Sequence, residues 1–163
     1  MATRVFCVTL SVLFVCLGNI CRSPLAEAAF QAEAERIGLD VEADSAGTAE
    51  WHVGRPPDRR AIAAAHRQGA DIAHLRARQV APADFHRFTH IVALDGSNLA
   101  ALRAMRPKGA AAHLSLLLDH VSGREGEAVA DPYYGEDAGF DTTWRDVAEG
   151  AAGLARRIVE ERR

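Results

Sequence analysis

Eight residues near the N-terminus, Cys16-Leu17-Gly18-Asn19-Ile20-Cys21-Arg22-Ser23, bring together a thiol, a guanidinium, a glycine and a hydroxyl within one short stretch. Their order suits the binding and attack of an oxyanion. In a tight turn leading into a helix, successive backbone N–H groups point inward and hold an anion, and the helix dipole adds to the hold. Gly18 and Asn19 tolerate the positive φ that such a turn needs. Arg22 offers a planar fork for two oxygens of one phosphoryl group. Cys16, at the base of the turn, lies where a helix N-terminus and an arginine lower a thiol's pKa and make it a nucleophile. The Ser23 hydroxyl can donate to that thiolate and to the sulfur when it departs. The string has neither the Gly-Lys-Ser/Thr of a nucleotide-binding loop nor the spaced glycines of a dinucleotide fingerprint. Cys16 and Cys21 would make half a zinc site, but no second ligand pair follows, so no metal is expected.

These residues need a scaffold. Ser11 to Cys16 is an unbroken apolar run, the pattern of a central parallel strand covered on both faces. Ser23-Pro24 reads as a helix start, with Ser23 as N-cap, Pro24 at the first helical position and Glu27 early enough to suit the dipole. Ala26, Phe30, Ala34 and Ile37 mark one face of that helix, and Gly38 stops it. Val41 to Ala43 is a short strand, followed by a loop over 44–57. Asp58 caps a helix to about Gln68, His90 to Leu94 is a strand, Ser97 caps a helix to about Met105, and Leu114 to Leu118 is the last strand. A long polar loop from Asp119 to Gly139 follows, of the kind that usually carries function. Phe140, Trp144, Val147, Ala151, Leu154 and Ile158 then form one stripe of a C-terminal helix, with Trp144 as core. Alternating strands and helices predict a single-domain α/β fold: a doubly wound parallel sheet of about four strands with helices on both faces. Ligands of such sheets bind at the carboxyl ends of the strands, which is where the loop after Cys16 falls.

The bulk properties agree. The 163 residues are 48% hydrophobic, enough for one domain over 1–163 without disulfides or metals. A net charge of −3 with dispersed Lys and Arg gives no field for nucleic acid. Cys7, Cys16 and Cys21 are an odd, clustered set that suits a reducing, cytoplasmic compartment. Val5 to Leu17 is apolar like a signal-peptide core, but it reads better as a buried strand preceded by a ragged extension over 1–10. It is also shorter than the roughly 20 residues that span a bilayer, so no membrane association is expected.

VLFVCLGNICRSPLAEAAF closely resembles the signature of the low-molecular-weight protein tyrosine phosphatases. DSAGT at 44–48, RPPD at 55–58, RARQ at 76–79, LDGSNL at 94–99 and DPYYG at 131–135 follow in that family's order. The resemblance implies the phosphatase I-like fold and hydrolysis of phosphotyrosine through a phosphocysteine, with no cofactor. It implies Cys16 as nucleophile and Arg22 as phosphate binder, with Asn19, Ser23 and Ser45 holding the loop. Asp131, which alone would be an ordinary Asp-Pro turn, becomes the general acid, biased to an extended backbone by Pro132. Tyr133, Tyr134 and Trp51 become pocket walls. Implied partners are phosphotyrosine proteins and a cognate tyrosine kinase, for a monomer or weak dimer.

Two details depart from the family. A histidine often supports the loop asparagine near the Arg-Gln pair. Here the candidates are His74 and position 75, a leucine, and neither is assigned. His86 and His90 are spaced by four residues but lack a third ligand for a metal. Other activities on this fold are distinguishable. Arsenate reductases relay oxidation through downstream cysteines, and none follows Cys21. Protein arginine phosphatases carry a threonine where this chain has Ile20 and lack the paired tyrosines. A non-catalytic phosphotyrosine-binding module would have lost its nucleophile or acid. Cys21, five residues beyond Cys16, is the expected redox partner of the nucleophile.

Overall fold

The structure, a computed structural model, describes residues 9–162; most of the expected 1–10 extension, and Cys7, lie outside them. The run Ser11–Cys16 forms β1, and all six of its residues are buried. Helix α1 is Arg22–Ile37, β2 is Glu42–Gly47, α2 is Arg59–Arg67 and α3 is Asp84–Arg87. β3 is His90–Ala93, α4 Gly96–Met105, β4 His113–Leu116 and α5 Ala138–Glu161, with a 3₁₀ turn over Leu117–His120. The sheet is parallel throughout, in the order β2-β1-β3-β4.

Period-two alternation along β1 explains why both sheet faces are covered. Val12, Phe14 and Cys16 point into a core shared with α1, α2 and α5. Leu13 and Val15 point into a second core with Phe85, Leu99 and Leu102 of α3 and α4. The predicted α5 stripe, Phe140 to Ile158, is buried throughout, and Trp144 is core. Burying each large side chain such as Phe14 or Phe30 is worth about 1.5–3 kcal/mol. The chain leaves β1 for β2 on one side and returns to β3 on the other. The end of β1 is therefore the switch point, where open α/β sheets form their binding crevice. Among the described residues no helix is long and apolar enough to cross a membrane.

Several boundaries differ from expectation, for physical reasons. β2 extends through Asp44, Ser45, Ala46 and Gly47, a stretch expected to be loop, because these residues pair in register with Leu13 to Cys16. Gly47 permits the approach: a Cβ there would lie 2.7 Å from the Leu17 carbonyl oxygen. α1 begins at Arg22, two residues earlier than a Ser23 cap implies, and the Ser23 side chain is engaged elsewhere and caps nothing. Glu27 does not face solvent near the helix start. It is 4% exposed, and its Oε1 has no partner among the described residues. Burial pushes its carboxyl up to about 7, against the Ser45 hydroxyl that hydrogen-bonds it. α4 is capped by Asp95 rather than Ser97, its Oδ1 accepting from Asn98 N at 2.7 Å. β4 spans His113–Leu116, after which the chain turns tightly instead of continuing to Leu118. Ile37, expected on the buried face of α1, is 38% exposed.

Candidate active site

The loop from Cys16 to α1 is held by a directed set of hydrogen bonds. Asn19 adopts φ 58°, uncommon outside glycine, and its side chain is fully bonded in return. Its Nδ2 donates to Ser23 Oγ at 2.8 Å and to Ser45 Oγ at 3.0 Å, and its Oδ1 accepts from Arg78 N at 3.0 Å. Ser23 Oγ lies 3.0 Å from Cys16 Sγ, where either atom can be the donor, and 3.4 Å from the Ala46 carbonyl, to which it can also donate. Asn19 N donates to the same sulfur at 3.3 Å. The sulfur thus faces one backbone donor and one hydroxyl able to donate, an environment suited to an anion. Gly18 does not take a positive φ, contrary to expectation. It leaves room instead, since a Cβ would sit 3.0 Å from His52 Cδ2.

Arg22 is 4% exposed and fixed from one side. Its Nη1 donates to Asp95 Oδ2 at 2.6 Å and to the Val129 carbonyl at 3.1 Å. Nε and Nη2 make no hydrogen bond among the described residues, which leaves two parallel donors for an oxyanion. Asp131 Oδ2 lies 3.7 Å from Nη2. A pocket of about 260 Å³ opens here, lined by Cys16, Leu17, Gly18, Ile20, Cys21 and Arg22 of the loop and by Trp51, His52, Asp131, Tyr133 and Tyr134. Trp51 and its neighbours reach it because Thr48 N and Ala49 N bond to the carbonyls of Cys16 and Leu17. Trp51 is 69%, Tyr134 93% and Tyr133 38% exposed, and Tyr133 packs edge-on against Tyr134.

The structure therefore brings together Cys16, Arg22, Asp131, the loop, its three supports and the three aromatic residues. Cys21, which lines the pocket, is a buried free thiol. Burial pushes that thiol up, with Asp58, Cys16 and Asp131 adding to the effect. His74 is exposed, and the amide of Arg78 takes the contact to Asn19. Among the described residues no cluster of three metal-ligating side chains exists. Asp95, His52, Arg60 and Arg78 were not anticipated as site residues. Asp95 stands inside the LDGSNL string, immediately after a buried strand, and Arg78 inside RARQ; these strings are the signals the sequence carries for them.

These features define a class: an α/β protein with a strand–loop–helix pocket, holding a buried cysteine and arginine, at the end of its central strand. Comparison with known proteins makes the class specific. A family model described as low molecular weight phosphotyrosine protein phosphatase matches residues 11–163. A Schizosaccharomyces pombe protein of that name is 44% identical over 153 residues, covering 92% of this chain and 97% of that protein. The crystal structure of YfkJ from Bacillus subtilis superposes with a TM-score of 0.89 at 38% identity, covering 97% of this chain and 99% of that one. A structure described as a Drosophila arginine phosphatase gives 0.85 at 31% identity, with 90% and 96% covered. The chain belongs to the low molecular weight phosphotyrosine protein phosphatase family and is a phosphatase enzyme.

Proposed function

We propose that this enzyme hydrolyses protein phosphotyrosine through a phosphocysteine formed on Cys16. The observation that carries the reading is the Cys16 sulfur, buried at the end of β1 with Ser23 Oγ at 3.0 Å and Asn19 N at 3.3 Å. The phosphoryl oxygens take the loop N–H groups and the open side of the Arg22 fork, whose plane Asp95 fixes. Cys16 Sγ attacks phosphorus opposite the ester oxygen. Asp131 gives a proton to the departing tyrosyl oxygen, whose conjugate acid has a pKa of about 10. The same carboxylate then takes a proton from the water that attacks phosphorus, and the thiolate leaves towards the Ser23 hydroxyl.

Phosphotyrosine, rather than phosphoarginine, is the substrate this pocket suits. The relative described as an arginine phosphatase shows that a chain of this fold carries that other description. Here Ile20 lines the pocket together with Trp51, Tyr133 and Tyr134. Apolar and aromatic surfaces stack on a flat ring, whereas a guanidinium would lose hydration against them. Cys21 is read as the nucleophile's redox partner. Peroxide takes the Cys16 thiolate to a sulfenic acid, and the Cys21 thiol then displaces water to form a disulfide.

Cys16→Ser tests the reading. Turnover should vanish while vanadate still binds, because the serine leaves the cradle intact. Undiminished turnover in that variant would remove the covalent mechanism.

A further inference from the structure

Asp131 sits in a segment with few attachments. Val129 is buried and its N–H donates to the Leu94 carbonyl at 2.8 Å, while α5 starts only at Ala138. Between them every residue of 130–135 except Pro132 is exposed. Within the segment, Tyr133 N donates to Asp131 Oδ1 at 3.0 Å and Gly135 N to the Pro132 carbonyl at 3.0 Å. Among the described residues, its only hydrogen bonds to another part of the chain come from one side chain. Arg60 Nη2 donates to the Tyr133 carbonyl at 2.9 Å, and Nη1 to the Gly135 carbonyl at 3.2 Å.

Arg60 is itself gripped. Asp58 takes its Nε on Oδ1 at 3.1 Å and its Nη2 on Oδ2 at 3.0 Å. The guanidinium lies 4.6 Å from the Phe140 ring centre, in the first turn of α5, and 5.7 Å from that of Tyr133. Asp58 also caps α2, accepting from Arg60 N at 2.8 Å. Its own N–H donates to the Ile20 carbonyl at 2.8 Å. One bracket thus runs from the phosphate loop at Ile20, through Asp58 and Arg60, to the carbonyls of Tyr133 and Gly135, two and four residues after the acid. An ion pair between partly buried side chains at the surface, here 29% and 14% exposed, adds only modestly to stability. Its planar fork, aimed at two carbonyls and seated on an aromatic ring, serves geometry instead, and a misplacement of about 1 Å at a reacting group can cost about 10²-fold in rate.

We infer that Arg60 is a positioning residue for the general acid, holding the Asp131 segment in register with the phosphate loop. The inference rests on the reading of Asp131 as that acid. Arg60→Met keeps the apolar stem over Phe140 and removes the fork. Its kcat/KM should be measured over aryl phosphates whose phenols range from strongly acidic to tyrosine-like. The loss should reach about 10-fold or more for tyrosine-like leaving groups and stay below about 3-fold for acidic ones, which depart without much protonation. Vanadate affinity should be unchanged, because the cradle is untouched. Arg60→Lys, which keeps the charge and one donor arm, should fall between and carries the test if the Met variant does not fold. In an Asp131→Asn background the Arg60 substitution should add less than about 2-fold, since the proton it positions is gone.

A leaving-group-dependent loss in Asp131→Asn, together with a uniform loss or none in the Arg60 variants, overturns the role of Arg60 and leaves the acid in place. Full additivity in the double variant overturns it too. A uniform loss in Asp131→Asn removes the acid assignment, and this inference with it.

Discussion

Glu27→Gln isolates a carboxyl that the fold holds in an unfavourable place. Glu27 is 4% exposed, its Oε1 without a partner among the described residues, beside the Ser45 hydroxyl that also accepts from Asn19. Burial raises its pKa from 4.5 to about 7. The Ser45 hydrogen bond opposes the rise, the Asp44 charge adds to it, and the Arg78 charge lowers it. The sign follows from proton counts. Between those two values the folded protein keeps the Glu27 proton and the unfolded chain has lost it, so stability falls as pH rises. The stabilisation of the protonated form is complete below pH 4.5 and is lost as pH climbs through about 7. Each pH unit across that window is worth about 1.36 kcal/mol per proton, so the swing approaches about 3 kcal/mol. Glutamine has nearly the same shape and does not titrate. Urea unfolding of both proteins from about pH 5 to 8.5 gives the difference in stability at each pH. That difference should move in favour of Glu27→Gln by about 2–3 kcal/mol across the series, with the pH dependence of other groups cancelling. Parallel stability curves would show that Glu27 ionises in the native state as it does in the unfolded chain, and would refute the reasoning.

Further outcomes concern the pocket. Mild peroxide should give a Cys16–Cys21 disulfide detectable by mass spectrometry, and thiol should restore activity to the wild type but less to Cys21→Ser. Equal recovery in both would show that Cys21 does not protect the nucleophile. Because Cys21 is buried and held as a thiol, the disulfide should form faster as pH rises. Ile20→Thr should shift kcat/KM towards phosphoarginine, and Trp51→Ala should raise KM for aryl phosphates more than it lowers kcat. A wild type that prefers phosphoarginine would contradict the substrate assignment while sparing the cysteine chemistry.

The elements with strong periodicity were legible before any coordinates. β1 is a continuous apolar run, and the α5 stripe repeats every three or four residues over Phe140 to Ile158. Asp58 and Gly38 sit at helix ends where local chemistry alone determines the cap. Local rules failed where a side chain had a distant use. Ser23 looks like a helix cap, yet its hydroxyl serves Cys16 and Asn19, so α1 starts without it. Asp44 and Ser45 look like loop residues, yet they lie in β2, where Ser45 holds Asn19 and Asp44 pairs with Arg78. Asp95 and Arg60 meet their partners across 73 residues of sequence, and no spacing rule reaches that far. The short α3 carries no periodic pattern to detect. The eight-residue cradle was legible because its chemistry is contiguous; the residues that aim it are not.

The central claim is that the phosphoryl group passes through Cys16. Rapid acid quench of the enzyme turning over a phosphotyrosine peptide, followed by peptide mass spectrometry, tests it most directly. The account predicts a phosphate adduct on the peptide bearing Cys16 that appears within the first turnover, decays as substrate is exhausted, and is absent in Cys16→Ser. Steady turnover with no adduct at Cys16, or an adduct on Cys21 or another residue in its place, would contradict it.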